Sequence, residues 1–361
     1  MINKIQLKNF KLFNNHQIEL SPMTILAGAN GAGKSSVIQA ILLLKQAVEV
    51  NELNKNEVSL NGPYLLQLGT VKNVISADAD SEKIGIKMAE QEDFVSFEFD
   101  FDIDRLPISL NISNSEIANC KFNEAPFYYL NAERIGPRKA LEMNSSMQLE
   151  TGHKGEFTNY VMHQADILKL EIHEELLIEG VPKTFTKQVE AWFQSIIPDI
   201  ELNLAANYDV NMTIIKYKNT KDTDFYIPTA TGFGITYALP IIVSGLIASS
   251  KNDSLFIVEN PEAHLHPYGQ SCIGKFLAIL STVGVQVILE THSEHVVNGA
   301  RLQLAQMGFS DNLLINFFEK NNKDLIRAIR TNKLGELSSW PIGFFDQQQY
   351  DLRELLRLKR K

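Results

Sequence analysis

Met23–Val48 reads MTILAGANGAGKSSVIQAILLLKQAV, and its order of strand, glycine-rich loop and helix decides the fold class. MTILAG has the apolar character of a strand, and SSVIQAILLLKQAV behind it has helical periodicity. Between them, GANGAGKSS (Gly28–Ser36) matches GxxxxGK[ST] in full at Gly28, Gly33, Lys34 and Ser35. The glycines let backbone N–H groups turn inward around phosphate oxygens. In this motif the lysine reaches the β- and γ-phosphates and the hydroxyl sits on Mg²⁺. The helix that follows adds the positive end of its dipole. A match without that context arises by chance; strand before and helix after make it a site. The expected nucleotide contacts are Asn30, Gly31, Ala32, Gly33, Lys34, Ser35 and Ser36, with ATP and Mg²⁺ as cofactors.

The chain has 361 residues, 44% apolar and 21% charged, ordinary values for a folded protein with a real core. A formal net charge of −9 argues against indiscriminate wrapping of nucleic acid, which depends on neutralising phosphates. The one dense cationic cluster is RLKRK at Arg357–Lys361; such a terminal run is ordinarily solvated, and a local DNA contact there stays open. Cys120 and Cys272 are too few for a disulfide framework or a thiolate metal site, so a reducing cytoplasm is the simplest address. MINKIQLKNF alternates like a strand and lacks a signal peptide's apolar stretch. No run approaches the ~20 apolar residues of a membrane span.

IQLKNFKLF and QIEL precede the first loop as strand-like stretches. From about Lys83 to Ile112, KIGIKMA, FVSFEFDFDI and LPISLNI alternate as half-buried antiparallel strands. FYYLNAERIGPR (Phe127–Arg138) is a strand with a Gly-Pro stop, and Gly155–Ile197 is expected to be helical up to Pro198. IELNLAA and VNMTIIKY are strands, and YALPIIVSGLIAS is a helix despite Pro240. SLFIVE, VQVILE and LLINFFEK are strands separated by the helices GQSCIGKFLAILSTV and HVVNGARLQLAQM, an alternation that points to a largely parallel sheet. The fold class is therefore α/β, with a mixed sheet, an antiparallel β subdomain and a helical insertion. One unit over 1–361 is expected: a lobe at 1–140 with the glycine-rich loop, the insertion at 141–200, a second lobe at 201–330 and a terminal segment at 331–361.

Three further stretches carry chemistry. In SLFIVENPEAHLHP (Ser254–Pro267) a buried strand ends in Glu259, presenting a carboxylate where a metal shell needs one. In VQVILETHSEH a buried strand ends before Thr291, His292 and Ser293, so His292 either polarises an attacking water or is a structural residue. In TATGFGITYALP (Thr229–Pro240) two glycines precede an apolar helix, either as a flexible helix entry or as an anion-binding start. His264, His266, His292 and His295, with Glu290 and Glu294, also allow a zinc reading, although both boxes are already accounted for and a fourth anchor has no place. Arg134 and Arg138 either contact phosphate or a partner or form salt bridges.

These boxes, in this order, resemble an ABC-type ATPase head of the SMC, Rad50 and RecF kind. More closely, IQLKNFKLF…TILAGANGAGKSS, ENPEAHLHP and ETHS are similar to the ATPase halves of OLD-family proteins. WPIGFFDQ (Trp340–Gln347) is similar to a terminal segment of relatives that lack a nuclease domain. The resemblance implies that Glu259 falls on the Mg²⁺-shell position, Ala263–His266 on a dimer-contact loop and His292 on the switch histidine. It implies that Gly232, Phe233 and Gly234 belong to a signature loop binding the ATP of a second subunit. Asn260 falls where the catalytic glutamate usually stands, and an amide cannot take a proton from water as a carboxylate does. Slow hydrolysis is expected, with Glu262, or Glu259 itself, as the base. The resemblance further implies a nucleotide-gated homodimer that drives a separately encoded nuclease or other effector, as in anti-phage defence. A self-contained nuclease of the OLD type is disfavoured, because about 60 residues follow ETHS, too few for the acidic Toprim domain such nucleases carry there. Asp78 and Asp80, in DADSE, read as a solvated turn. A binding module with structural ATP remains the other alternative, and a transporter head does not suit the β-rich opening.

Overall fold

The computed structural model describes residues 1–102, 107–146, 148–219, 224–230, 232–319 and 325–358. Strands β1 (Lys4–Phe10) and β2 (Phe13–Glu19) form a tight hairpin, so IQLKNFKLF is not one strand but turns at Lys11 and Leu12. Lys11 takes a positive φ of 53°, which reverses the chain while Phe10 and Phe13 face each other, both buried. Next come β3 (Met23–Gly28) and α1 (Lys34–Glu52). Strands β4 (Glu57–Ser59), β5 (Lys83–Glu90), β6 (Asp93–Asp100) and β7 (Ser109–Ala118) complete an antiparallel sheet ordered β2-β1-β5-β6-β7-β4. Strand β7 runs beyond the expected Ile112 because its polar end still pairs with β6 as far as Phe94↔Ala118.

Beyond β8 (Phe127–Leu130), a short β9 (Leu141–Glu142) pairs with β11 (Met212–Asn219), which pairs with β10 (Ile200–Asn207). Within 155–197 only α2 (Thr158–Ile167) and α3 (Phe185–Ile196) are regular α-helices. Between them, Leu170, Ile172 and Leu176 anchor an irregular segment to the core. Then follow α4 (Phe233–Ser249), β12 (Ser254–Glu259), α5 (Pro267–Leu280), β13 (Val285–Glu290), α6 (Glu294–Met307), β14 (Leu313–Phe318), β15 (Ile326–Arg330) and α7 (Gln347–Leu358). Among the described residues no helix is long and apolar enough to cross a membrane. Of the basic tail, Lys359–Lys361 lie outside the described residues.

The central sheet is ordered β15-β14-β3-β13-β12-β8, and only the β14–β15 pair is antiparallel. Its inner strands β14, β3, β13 and β12 are buried on both faces, as a covered parallel sheet requires, whereas the edge strand β15 is largely exposed. Met23, Ile25, Phe256 and Leu289 pack toward α4, α5 and α6. Leu26, Leu255, Ile257 and Ile288 pack toward α1 and the antiparallel sheet. Because the strands are parallel, Gly28, Glu259 and Glu290 all end on one edge of the sheet, and β13 separates the loop-bearing β3 from β12. Such carboxyl edges are where open α/β sheets bind ligands.

Candidate nucleotide site

Gly28 and Gly33 are required by geometry rather than by flexibility alone. Gly28 has φ +136° and lies so close to β14 that a Cβ would sit 2.5 Å from the Phe318 carbonyl oxygen. Gly33 has φ +111° and caps the start of α1. Ala29, Asn30 and Gly31 form an exposed rim, Ala32 and Gly33 are buried beneath it, and Ser36 is half-buried. Lys34 is buried, and its Nζ donates to the carbonyl oxygens of Gly28 (3.0 Å) and Ala29 (2.9 Å). Burial pushes this ammonium below the ordinary lysine range, while Glu290, 3.7 Å away, opposes the shift.

Ser35 is exposed, and its hydroxyl donates to the Glu290 carboxylate at 2.9 and 3.1 Å. His292 is also exposed, with Nε2 4.0 Å from the same carboxylate. Lys34, Ser35, Glu290 and His292 thus converge. Glu259 is the register neighbour of Glu290 on β12, but its carboxylate accepts from the Tyr129 hydroxyl at 2.6 Å. Asn131 in turn donates to that hydroxyl at 2.7 Å. Burial raises the Glu259 carboxyl above its ordinary range, and the Tyr129 hydrogen bond works against that rise.

Glu262 faces the exit of β13. One oxygen accepts from Thr291 Oγ1 at 2.8 Å and the other from the His292 backbone N–H at 2.7 Å. Asn260, at φ 43°, donates its backbone N–H to the Glu290 carbonyl (2.9 Å), and His264 reverses the chain again at φ 60°. Ser293 caps α6, accepting from the N–H groups of His295 and Val296, so two residues of THS have structural partners. Arg134 is buried under this turn, donating to the Asn260 carbonyl at 3.1 Å and to that of Glu259. Burial pushes its guanidinium down to about 10, which leaves it charged at neutral pH. Arg138, by contrast, is exposed and bonds the neighbouring Pro137 carbonyl.

At the start of α4, no atom of the described residues beyond its chain neighbours lies within 4 Å of where a Cβ of Gly232 would stand. A Cβ at Gly234 would lie 2.7 Å from the His264 carbonyl oxygen, so the glycine loop packs against the turn that follows β12. Thr231 and the Phe233 side chain lie outside the described residues. His264 packs on the Tyr237 ring at 4.5 Å whereas His292 faces Glu290, so the histidines of the two boxes have different neighbours. Among the described residues no group of three or more His, Cys, Asp or Glu side chains is arranged to hold a metal. One hydroxyl beside one carboxylate fits Mg²⁺, which takes few protein ligands and shares the phosphates.

Glu290, Tyr129 and the inward-facing Arg134 are the participants that sequence reading assigned elsewhere or left open. The available signal for Glu290 was that SLFIVE and VQVILE both end in an acid.

A glycine-lined phosphate loop between β3 and α1, at the carboxyl edge of a parallel sheet with an acid-ended strand beside it, defines a P-loop ATPase head. The chain belongs to the AAA ATPase domain family, whose model matches residues 1–133 and 171–297. Use of ATP and Mg²⁺ follows from that membership. Residues 310–355 match a second family, described as "Protein of unknown function (DUF3696)". The chain is 36% identical over 59 residues to the DNA double-strand break repair Rad50 ATPase of Archaeoglobus fulgidus, a match spanning 16% of this chain and 7% of that protein. Its fold is similar to a solved SMC head bound to the C-winged helix domain of ScpA: TM-score 0.55, 14% identity, 91% of this chain and 98% of that one. The SMC head domain from Thermotoga maritima aligns at TM-score 0.47 and 12% identity over 92% of this chain and 99% of its own.

Proposed function

We propose that this ATPase is one half of a nucleotide-gated homodimer that passes its closure to a separately encoded effector, such as a nuclease of an OLD-type anti-phage system. The observation that carries the reading is the pairing of two loops. Gly234 packs on His264, so the glycine start of α4 and the 260–265 turn form one surface, open at Gly232. An α-helix start suits an anion brought by a second chain. With ATP bound, Lys34 would exchange the loop carbonyls for the β- and γ-phosphates, and His292 would orient the attacking water. Mg²⁺, when bound beside Ser35, neutralises charge on those phosphates. Glu259 and Glu262 remain the candidates for metal shell and base that the sequence suggests. The basic stretch RLKRK from Arg357 is the DNA contact this reading offers.

The slow-turnover reading is favoured by the hydrogen bonds that both oxygens of Glu262 already accept, together with the resemblance that puts Asn260 where the catalytic glutamate usually stands. It is compatible with a gate driven by binding and reset slowly.

Gly232→Arg separates the dimer from the monomer. Gly232 has φ −68° and open space around it, so arginine fits this chain without strain. The variant is expected to bind ATP as a monomer with unchanged affinity and to lose ATP-dependent dimerisation, read by sedimentation. A variant that dimerises normally with ATP would remove the glycine loop from the interface.

A further inference from the structure

We propose that Tyr129 is a positioning residue for the Mg·ATP site, acting through Glu259. This rests on reading Gly28–Ser36 as the Mg·ATP loop and Glu259 as an acid of its metal shell. Tyr129 stands on β8, at the edge of the central sheet, and pairs in register with Ile257 of β12. Residues two apart on a strand share a face, so Ile257 and Glu259 leave β12 on the same side. Tyr129 and Ile257 are buried in the core that contains α1, whose first turn carries Ser35. The Tyr129 ring therefore lies on the face from which Glu259 projects, and its hydroxyl reaches Oε1 of that acid at 2.6 Å.

The direction of this bond is set by Asn131. Its amide oxygen accepts the Glu133 N–H at 2.8 Å, which identifies the other end of the amide as the NH₂ group. That group donates to the Tyr129 oxygen at 2.7 Å. An amide NH₂ only donates, so the phenol's own proton is left for Glu259. The Asn131 backbone N–H is tied to the His153 carbonyl at 2.8 Å, and the His153 ring lies 5.6 Å from that of Tyr129. Arg134 donates to the carbonyls of Glu259 and Asn260, so the backbone carrying the acid is fixed from the same segment. The stretch 129–134 thus fastens one oxygen of the carboxylate, and among the described residues no hydrogen bond engages the other, Oε2. A carboxylate with one oxygen held and the other open is what an outer-shell donor prepares for a metal.

The test compares the affinity of a fluorescent, non-hydrolysable ATP analogue in Mn²⁺ with its affinity in EDTA; the ratio is the gain that the metal supplies. Tyr129→Phe, which removes only the hydroxyl, is expected to cut that gain roughly tenfold while affinity in EDTA holds within about twofold. Asn131→Ala keeps both partners of the bond but frees the phenol to turn. It is expected to lower the gain as well, and it carries the test if Tyr129→Phe folds poorly. Glu259→Ala, which removes the acceptor, is expected to cut the gain about tenfold or more. In the Glu259→Ala background neither Tyr129→Phe nor Asn131→Ala is expected to change the gain beyond about twofold, whereas a residue that only supports the fold would lower it in both backgrounds. An unchanged gain in Tyr129→Phe and Asn131→Ala, or equal losses with and without Glu259, overturns the positioning role alone. If Glu259→Ala keeps the full gain, or Lys34→Ala binds the analogue like the wild type, the reading on which the inference rests falls with it.

Discussion

Lys34→Met is expected to reduce ATP turnover by at least ~10²–10³-fold, the scale seen when one preorganised charge-stabilising donor is removed. The ammonium is buried within the loop, within 3.0 Å of two loop carbonyls and 3.7 Å from Glu290. Methionine fills similar space without charge. The nucleotide-free fold should therefore survive, because the desolvation that lowers the lysine's pKa is also relieved. Phosphate release and thermal melting together check this. The wild type should gain about 2.7 kcal/mol from ATP at a hundred times its Kd, and the variant should lose that gain. Normal hydrolysis by Lys34→Met would contradict the site itself.

Gly299→Val is expected to destabilise the fold by about 3 kcal/mol or more, at or beyond the upper end of ordinary overpacking. Helices α5 and α6 meet through glycines. A Cβ at Gly299 would lie 2.1 Å from the Ser271 carbonyl oxygen, and one at Gly274 would lie 2.2 Å from that of Val296. Both obstacles are backbone, so no rotamer change relieves them and the helices must separate. Since α6 begins directly after Thr291–Ser293, separation is also expected to displace His292 from Glu290. The midpoint of denaturant unfolding reads the effect. Gly232→Ala is the control, expected to stay within ~0.5 kcal/mol because nothing stands near its Cβ position. An unchanged midpoint in Gly299→Val would mean that the two helices do not approach this closely.

Much of the architecture was legible in local pattern. The periodicities of MTILAG, SLFIVE and VQVILE identify buried strands, and GxxxxGK[ST] identifies the loop between β3 and α1. Where local pattern misled, the reason was also local. The apolar alternation of IQLKNFKLF runs through a turn that Lys11 makes with a positive φ, and the strand β7 continues past its apolar part because β6 offers partners. The segment between α2 and α3 is rich in leucine and glutamate, which favours helix, yet its apolar residues are pinned individually to the core.

The sequence by itself determined that a phosphate loop exists, that a parallel sheet carries it, and that acids end two of the buried strands. It left undecided which acid meets the loop. Ser35 and Glu290 are 255 residues apart, and their contact depends on β13 lying between β3 and β12. Strand order is a property of the assembled sheet, since each strand's hydrophobic pattern is satisfied by any covered position within it. The tertiary structure alone therefore turned Glu259 toward Tyr129, fastened Glu262 to Thr291, drew Arg134 inward, and placed Glu290 against the serine.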